Sequence, residues 1–454
     1  MRTSTISLAV GSVVGATVGL AARGQTLVPW PEPVTKAFPP GLGALVGGAA
    51  AVKTALLMGA LRRPARIPVV LAGAAGLAAV GAVAGRLAAR HVLDGLAQQS
   101  RELDPGFADV PQSPMVTGST ASGIPLHLLG REGARFVGQV TTSADVLAVT
   151  GEPQIAAPIR VFIGVDAART IAERVQLAMA ELRRTGAFDR SHLLLQSPAG
   201  TGYANSVPVD VLEILTAGDC AAVAIGFGLL PSFLSLGKRA EAAQTQRELL
   251  DMVLAELRDR PSRPTLLLYG ESLGAGVQEC AVPDGLADLD AYGISAALWV
   301  GTPGSRAADI FHGSCAESSI TLDRAAQVPG QLDADRPRVW FLEHDGDPVV
   351  RFRPDLIARR PAWLSAQAPR GRNIPQSWRW MPGITWAQVL VDVLFATNVK
   401  PGQFESIGHD YRADLGAVVT AAFALPSSPE ISARLEAHLR ELELARAARI
   451  DVSA

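Results

Sequence analysis

The 454-residue sequence has few cysteines and few lysines, and its positive and negative charges nearly balance. Its three cysteines, Cys220, Cys280 and Cys315, lie far apart, and none belongs to a CxxC pair, which excludes zinc-knuckle and thioredoxin-type motifs. Only four residues are lysines, and a net charge of -2 creates no basic field for a nucleic acid. No Walker lysine or dinucleotide fingerprint is present. We therefore expect no metal, no cofactor and no nucleic-acid partner.

The N-terminal part of the sequence contains three long apolar runs. Residues 6–22 carry no charge, 41–61 are interrupted only by Lys53, and 67–89 only by Arg86. Each run approaches the roughly 20 residues that a transmembrane helix needs, and each is rich in glycine and alanine, as in helices that pack closely in lipid. We interpret residues 1–97 as about three membrane spans. The alternatives are a cleaved signal peptide for the first run and buried soluble helices for the others.

The basic residues beside these runs suggest an orientation. The loop 62–66, RRPAR, is the densest positive cluster between runs and favours a cytoplasmic loop, because positive loops tend to stay in the cytoplasm. Arg86, Arg90 and Arg101, at and beyond the end of the third run, favour the opposite orientation. We expect a multi-pass protein of the cell membrane with its C-terminal part on the extracytoplasmic side.

The remainder of the sequence alternates between short apolar runs and amphipathic patterns. Residues 98–120 are polar and broken by prolines, which predicts a linker. Strands are predicted at 159–164, 192–196, 221–227, 265–269, 296–300 and 338–342, and helices at 168–184 and 240–258. This alternation predicts an α/β domain over 121–426, a mostly parallel, doubly wound sheet with helices on both faces. Residues 427–454 form a charged helix to which we assign no chemistry.

A serine between two glycines, in the segment GESLG at 270–274, directly follows one predicted strand. A nucleophile elbow requires small residues two positions before and after its serine, which Gly270 and Gly274 provide. Ser272 is thus a candidate nucleophile, and the Leu273 N–H, at a helix start, is a candidate oxyanion donor. The alternative is an ordinary tight turn that contains a serine, since about 0.25 such matches occur by chance in a chain of this composition.

A serine nucleophile needs a histidine base held by a carboxylate. The order serine, acid, histidine leaves His312, His344, His409 and His438, of which His409, in a glycine-preceded loop ahead of a helix, is preferred. The acid is Asp345 or Asp347 in the loop after a strand, with Asp347 preferred because Pro348 fixes its backbone. Either aspartate could instead be a solvated turn residue.

A second oxyanion donor is expected in the glycine-rich loop after an earlier strand. Ala199 and Gly200 are the candidates, because their backbone N–H groups can approach a ligand closely. Tyr203, Leu230 and Phe233 are weak candidates for contact with an acyl chain, although apolar residues of this kind are more often ordinary core.

Several segments are similar to those of one family. They include SPAGTGY at 197–203, YGESLG at 269–274, HDGDPVV at 344–350, WRWMPGITWAQVLVD at 378–392 and GHDY at 408–411. On these segments the chain resembles the actinobacterial membrane-anchored α/β-hydrolase proteins, which pair an N-terminal multi-span region with a C-terminal hydrolase domain. The resemblance implies an α/β-hydrolase fold with Ser272, His409 and Asp347 as its triad. Tyr203 stands where the family pattern would have tryptophan, so the pocket lining differs there.

These features predict a membrane-anchored serine hydrolase that cleaves an ester or thioester of an apolar acyl chain, with a lipid or acyl ester as substrate. Two alternatives remain at this point. The same acyl-enzyme could transfer its acyl group to an alcohol, as in an acyltransferase, or the domain could be a catalytically idle membrane scaffold.

Overall fold

The computed structural model describes residues 26–28, 93–232, 235–305, 318–330, 336–365, 369–396, 404 and 406–451. The three apolar runs predicted to cross a membrane lie outside these residues. Among the residues described, no helix combines the length and the apolar character needed to cross a lipid bilayer. The chain divides into two compact units, one made of Met1–Gly95 with Phe352–Ala396 and the other of Leu96–Arg351 with Thr397–Ala454.

The second unit is built on a parallel sheet. Within the described residues its strands are β1 (Ile159–Ile163), β2 (His192–Ser197), β3 (Cys220–Ile225), β4 (Thr265–Glu271), β5 (Ile294–Val300), β6 (Ser319–Leu322) and β7 (Val339–Leu342). Their spatial order is β1-β3-β2-β4-β5-β7-β6, and every neighbouring pair is parallel. Strand β3 lies on one side of β2, and the chain then crosses over so that β4 lies on the other side of β2. The order therefore reverses between β2 and β4, where open α/β sheets form ligand crevices at the carboxyl ends of their strands.

Helices cover both faces of this sheet. In chain order, the helices whose full bounds the structure describes are α1 (Gly130–Val137), α2 (Ser143–Thr150), α3 (Ile171–Thr185), α4 (Val207–Leu215), α5 (Arg239–Leu257), α6 (Leu273–Ala281), α7 (Leu286–Tyr292), α8 (Pro348–Arg351), α9 (Ile384–Leu394), α10 (Arg412–Ala422) and α11 (Pro429–Asp451). One set, α3, α5, α6 and α7, packs together, α2, α4, α10 and α11 form a second set, and α1 packs on β1. Both sets contact the sheet, so β1 and β3 are buried at every residue.

Short 3₁₀ turns connect these elements. They are Pro105–Phe107, Leu126–Leu129, Val165–Ala167, Ala187–Asp189, Leu236–Lys238, Pro303–Ser305, Ala325–Gln327, Pro354–Ile357 and Ala362–Leu364.

The predicted α/β architecture is confirmed, with strand bounds shifted by one or two residues. Each of the six predicted strands is present, and the predicted helices correspond to α3 and α5. The sequence reasoning missed β6. This strand has four residues at the edge of the sheet, and only Leu322 is buried, so it lacks the continuous apolar run of its neighbours.

Two segments assigned outside the α/β domain pack in the same unit as the sheet. In the predicted linker, Phe107 and Val116 are buried, and Val116 forms a bridge with Arg160 of β1. Helix α11 buries Leu435 and Leu439. Its Arg449 donates to the backbone carbonyls of Gly106 and Gly138, so the helix is tied to the domain by charged hydrogen bonds as well as by apolar packing.

A fully buried ion cluster joins the sheet to helix α4. The guanidinium of Arg160 on β1 contacts Glu213 at 2.6 Å and Asp210 at 2.8 Å, and all three side chains are inaccessible to solvent. Arg446 of α11 also donates to Asp210. Burying charges is costly unless each is paired, so the two carboxylates and the guanidinium depend on one another.

The first unit has its own apolar core around Trp378, which is fully buried. Trp363 packs edge-on against Trp378 with ring centroids 5.5 Å apart. The backbone N–H of Leu27 donates to Asp392 of α9 at 3.0 Å. Trp378 therefore serves as core within this unit.

Candidate active site

Ser272 lies between β4 and α6, at the point where the strand order reverses. Its backbone has φ 56° and ψ -126°, a conformation that non-glycine residues rarely adopt. The Ser272 N–H donates to the carbonyl of Val300, the last residue of the neighbouring strand β5, at 2.8 Å. Such strain persists only where the surroundings determine the backbone, and it occurs mainly at functional sites.

The two glycines of the segment are required by the packing of the turn. A Cβ on Gly270 would lie 2.7 Å from the backbone N and Cα of Ala275. A Cβ on Gly274 would lie 2.2 Å from the carbonyl oxygen of Ser197, the last residue of β2. Neither backbone can move without disturbing a strand or a helix start. The local structure is therefore the sharp strand-to-helix turn that the sequence predicted.

The first turn of α6 presents an unused donor. Leu273 is buried, and its N–H makes no hydrogen bond to any residue that the structure describes. The first hydrogen bonds of the helix run to the carbonyl of Ser272, which accepts from the N–H of Ala275 at 3.1 Å and from the N–H of Gly276 at 3.4 Å. A free N–H at a helix start, beside the serine, can stabilise an oxyanion.

The loop after β2 corrects part of the sequence reasoning. The N–H of Ala199 donates to the carbonyl of Tyr203 at 2.8 Å, so it is not available to an oxyanion in this structure. The N–H of Gly200 makes a longer hydrogen bond, 3.3 Å, to the hydroxyl of Ser232. A Cβ on Gly200 would meet the carbonyl oxygen of Leu230 at 2.7 Å, so this loop packs closely on the loop after β3. Gly200 remains the better candidate.

His409 and Asp347 are hydrogen-bonded although 62 residues separate them. The distance from His409 Nδ1 to Asp347 Oδ2 is 2.7 Å, and both side chains are buried. The same carboxylate oxygen accepts from the Tyr411 hydroxyl at 2.6 Å, and Oδ1 accepts from the Val349 N–H at 2.8 Å. The carboxylate is thus fixed in place, which sets the orientation of the imidazole.

The other acid candidate has a different environment. Asp345 forms a salt bridge with Arg351 at 3.0 Å, and 37% of its side chain is exposed. The structure therefore brings Asp347, and not Asp345, to the histidine.

The opposite ring nitrogen of His409 is available for chemistry. Nε2 is buried and has no hydrogen-bond partner among the described residues. The ring lies against Gly301, where a Cβ would come within 2.5 Å of His409 Cε1. Gly301 directly follows Val300, the acceptor of the Ser272 N–H, so the imidazole and Ser272 lie at the same edge of the sheet.

The environment of His409 raises its pKa above the usual 6.5. Burial lowers the pKa, but the charge of Asp347 and the hydrogen bond to it outweigh that effect, and Glu271 and Asp410 add to the increase. A base with a raised pKa holds a transferred proton more firmly.

The other histidines lie elsewhere or have structural roles. His344 is fully buried, its Nδ1 lies 3.0 Å from the carbonyl of Gly408 and its Nε2 lies 3.0 Å from Asp414. Its ring stacks on that of Tyr411, with centroids 4.0 Å apart. His438 of α11 pairs with Asp145 at 2.9 Å. His312 lies outside the described residues.

Sequence reasoning missed Tyr411 and the supporting role of His344. Tyr411 links the two loops, because its hydroxyl donates to Asp347 and accepts from the N–H of His344 at 3.1 Å. A tyrosine two positions after the candidate base was the available signal.

A second carboxylate, that of Glu271, lies next to Ser272. Its Oε2 accepts from the Tyr269 hydroxyl and from Asn205 Nδ2, each at 2.7 Å. The side chain is partly buried. It therefore has a fixed position at the edge of the site.

The three residues predicted to contact substrate are less well defined by the structure. Tyr203 is 41% exposed, Leu230 is partly buried beside Gly200, and Phe233 lies outside the described residues. Within the described part of the chain, no group of three potential metal ligands is assembled.

Comparison with known proteins gives one extended match. The model of a family described as an alpha/beta-hydrolase family matches residues 159–312 and 318–438, more than half of the chain. No curated protein matches the sequence.

Two solved structures are similar over part of the fold. A Trichoderma reesei cutinase in complex with a phosphonate inhibitor shares 16% identity over 40% of this chain and 74% of its own, with a TM-score of 0.24. An acetylxylan esterase shares 16% identity over 35% of this chain and 84% of its own, also with a TM-score of 0.24. These weak likenesses say nothing about the reaction.

Proposed function

The chain belongs to the α/β-hydrolase family, and we propose that it is a serine hydrolase cleaving esters or thioesters of apolar acyl groups. One observation carries the proposal. His409 is held by Asp347 through Nδ1, and its unpaired Nε2 lies at the sheet edge where the strained Ser272 sits. This is the division of roles in a serine, histidine and aspartate triad.

The arrangement supports a two-step reaction. Ser272 Oγ attacks the acyl carbonyl while His409 Nε2 takes the hydroxyl proton, and the Leu273 N–H stabilises the oxyanion. Collapse of the tetrahedral intermediate breaks the bond to the alcohol, which leaves with the proton from His409. Water then attacks the acyl-enzyme by the same route, releasing the acid and regenerating Ser272.

Asp347 acts on the reaction through the imidazole. It stabilises the imidazolium that forms in each step and selects the tautomer with its proton on Nδ1. The Tyr411 hydroxyl and the Val349 N–H keep this carboxylate oriented.

The substrate class follows from the apolar N-terminal runs and from the site. We propose that residues 1–97 anchor the chain in the cell membrane, with the hydrolase domain on the extracytoplasmic side, so that lipid-like acyl esters reach Ser272. Gly200 is our candidate for the second oxyanion donor, and Tyr203, Leu230 and Phe233 for contacts with the acyl chain.

Labelling with a fluorophosphonate probe tests the nucleophile. We expect the intact protein to be labelled and Ser272→Ala to remain unlabelled. A series of p-nitrophenyl esters of increasing acyl length would then define the acyl preference. Labelling of Ser272→Ala to the wild-type level would refute the assignment.

The acid has a matched control two residues away. Asp347→Asn should lower kcat/KM by a factor on the order of 10⁴, because the amide favours the wrong histidine tautomer. Asp345→Asn should change kcat/KM by less than about threefold, since its carboxylate pairs with Arg351 and not with His409. Equal effects of the two substitutions would contradict the role of Asp347.

A further inference from the structure

We propose that Glu271 recognises the alcohol part of the substrate by accepting a hydrogen bond from a hydroxyl group on it. The inference rests on the proposed function, because it concerns the same site. This hydrogen bond would make the enzyme prefer esters of alcohols that carry a further hydroxyl group. Esters of alcohols without one, and esters of alcohols that carry a negative charge, would be poorer substrates.

Among the described residues, the carboxylate of Glu271 is held by two neutral donors. Tyr269 and Asn205 both donate to Oε2 at 2.7 Å, and within the described residues Oε1 makes no hydrogen bond. Both donors are themselves fixed. Tyr269 is fully buried, and Asn205 caps the N–H of Val207 at 3.0 Å and accepts from Gln196 at 2.9 Å.

The lack of a cation distinguishes Glu271 from the surrounding carboxylates. Glu132 pairs with Arg135 at 3.0 Å, and Asp410 pairs with Arg412 at 2.7 Å. Glu443 also pairs with Arg412. Glu271 forms no salt bridge with any residue that the structure describes. A partly buried carboxylate with one oxygen open is a strong hydrogen-bond acceptor, and it repels an anion.

The position of Glu271 selects the alcohol side of the substrate. It precedes Ser272 directly and pairs across the sheet with Val300, and the residue after Val300, Gly301, lies against the ring of His409. Glu271 is therefore close to the imidazole, and its charge contributes to the raised pKa of His409. His409 returns its proton to the oxygen of the leaving alcohol, so the alcohol must lie beside the imidazole. Glu271 therefore lies near the leaving alcohol.

Three butyrate esters with the same acyl group test the proposal. They are the glycerol monoester, the propyl ester and the ester of 3-hydroxypropanoate, which carries a carboxylate. In wild type we expect kcat/KM to be at least about tenfold higher for the glycerol ester than for the propyl ester, because a hydrogen bond to a charged acceptor is among the stronger ones. The anionic ester should be at least about tenfold poorer than the propyl ester.

Two variants separate the charge from its position. Glu271→Gln should bring all three esters within about threefold of one another, because the amide neither accepts as strongly nor repels the anion. Tyr269→Phe keeps the charge but removes one of its two supports. Tyr269→Phe should reduce the ratio of kcat/KM for the glycerol ester to that for the propyl ester, while the anionic ester remains the poorest substrate. This variant also tests the proposal if Glu271→Gln does not fold.

Glu443→Gln is the matched control. It removes a carboxylate of the same type that is already paired with Arg412. Its ester preferences should equal those of wild type. A change in these preferences as large as that of Glu271→Gln would mean that general surface charge, and not Glu271, sets the selectivity.

The outcomes distinguish this inference from the proposed function. If wild type is labelled at Ser272 but hydrolyses the glycerol and propyl esters equally, the inference is wrong and the hydrolase assignment stands. A Glu271→Gln variant that slows all three esters by one common factor would show a structural role and would also overturn the inference. If labelling does not depend on Ser272, the hydrolase assignment itself fails.

Discussion

Replacing Gly301 by alanine should damage the site while leaving the fold in place. Gly301 has φ 57°, in the left-handed region, and it lies between the end of β5 and the ring of His409. A Cβ there would lie 2.5 Å from Cε1 and 2.8 Å from Nδ1 of His409, and 2.8 Å from Cε2 of Tyr411. Ordinary carbon contacts are about 3.5–4.0 Å, so the imidazole must move by roughly 1 Å.

The magnitudes follow from these distances. Alanine in the left-handed region costs about 1–2 kcal/mol of stability, and the added methyl group in a packed site costs a further 1–3 kcal/mol or so. The total, about 2–5 kcal/mol, lies below the stability of many domains. A displacement of about 1 Å in a catalytic group costs on the order of 100-fold in rate. We therefore expect kcat/KM to fall by about that factor in a folded protein.

Gly293 provides the control at the other end of the same strand. It has φ 67°, and a Cβ there would have no atom within 4 Å. Gly293→Ala has the same backbone cost as Gly301→Ala but no contact with His409. Urea unfolding measures the stability of both variants, and hydrolysis of p-nitrophenyl butyrate measures kcat/KM. If Gly301→Ala and Gly293→Ala have the same kcat/KM, His409 is not the base.

Two further predictions concern pH and the buried ion cluster. Because its pKa is raised, His409 should lose its proton above pH 6.5, and kcat/KM should therefore rise with pH through a midpoint above that value. A midpoint at or below pH 6.5 in the pH–rate profile would contradict the environment of His409 described above. The same shift makes the contribution of His409 to folding stability complete below pH 6.5 and lost as the pH rises through the raised pKa. Glu213→Gln should lower the free energy of unfolding by about 3–5 kcal/mol, because it leaves Arg160 short of a buried partner. The control is Glu256→Gln, because the Glu256 carboxylate pairs with Arg183 and Arg260 near the surface, where solvent screens the charges. It should cost less than about 1 kcal/mol in the same urea unfolding measurement, and equal losses in the two variants would refute the reasoning.

Much of this site could be predicted from the sequence because its signals are local. Gly270 and Gly274 are required by backbone contacts within and next to the turn, so the sequence shows the requirement directly. The buried strands appear as continuous apolar runs. Asp347 and His409 follow from chain order and from their places in loops after a strand and before a helix.

The remainder depends on contacts between distant segments. The Ala199 N–H is not available to an oxyanion because the loop conformation directs it to the carbonyl of Tyr203, and this conformation cannot be read from the sequence. The role of Tyr411 depends on Asp347, 64 residues away. The grouping of Phe352–Ala396 with a segment far earlier in the chain rests on contacts such as that of Leu27 with Asp392, which no local pattern shows.

The strain at Ser272 gives a further test of whether this turn exists for chemistry. Ser272→Ala and Ser272→Gly both remove the hydroxyl, so both should abolish activity. They differ in the backbone: alanine keeps the Cβ at φ 56°, and glycine relieves a strain of about 1–3 kcal/mol at an entropic cost of about 0.5–1 kcal/mol. Ser272→Gly should therefore be more stable than Ser272→Ala by about 1 kcal/mol in urea unfolding. A strained serine where glycine would be more stable is expected if the hydroxyl is kept for reaction. Equal stabilities would show that the backbone is not strained, and would remove that argument.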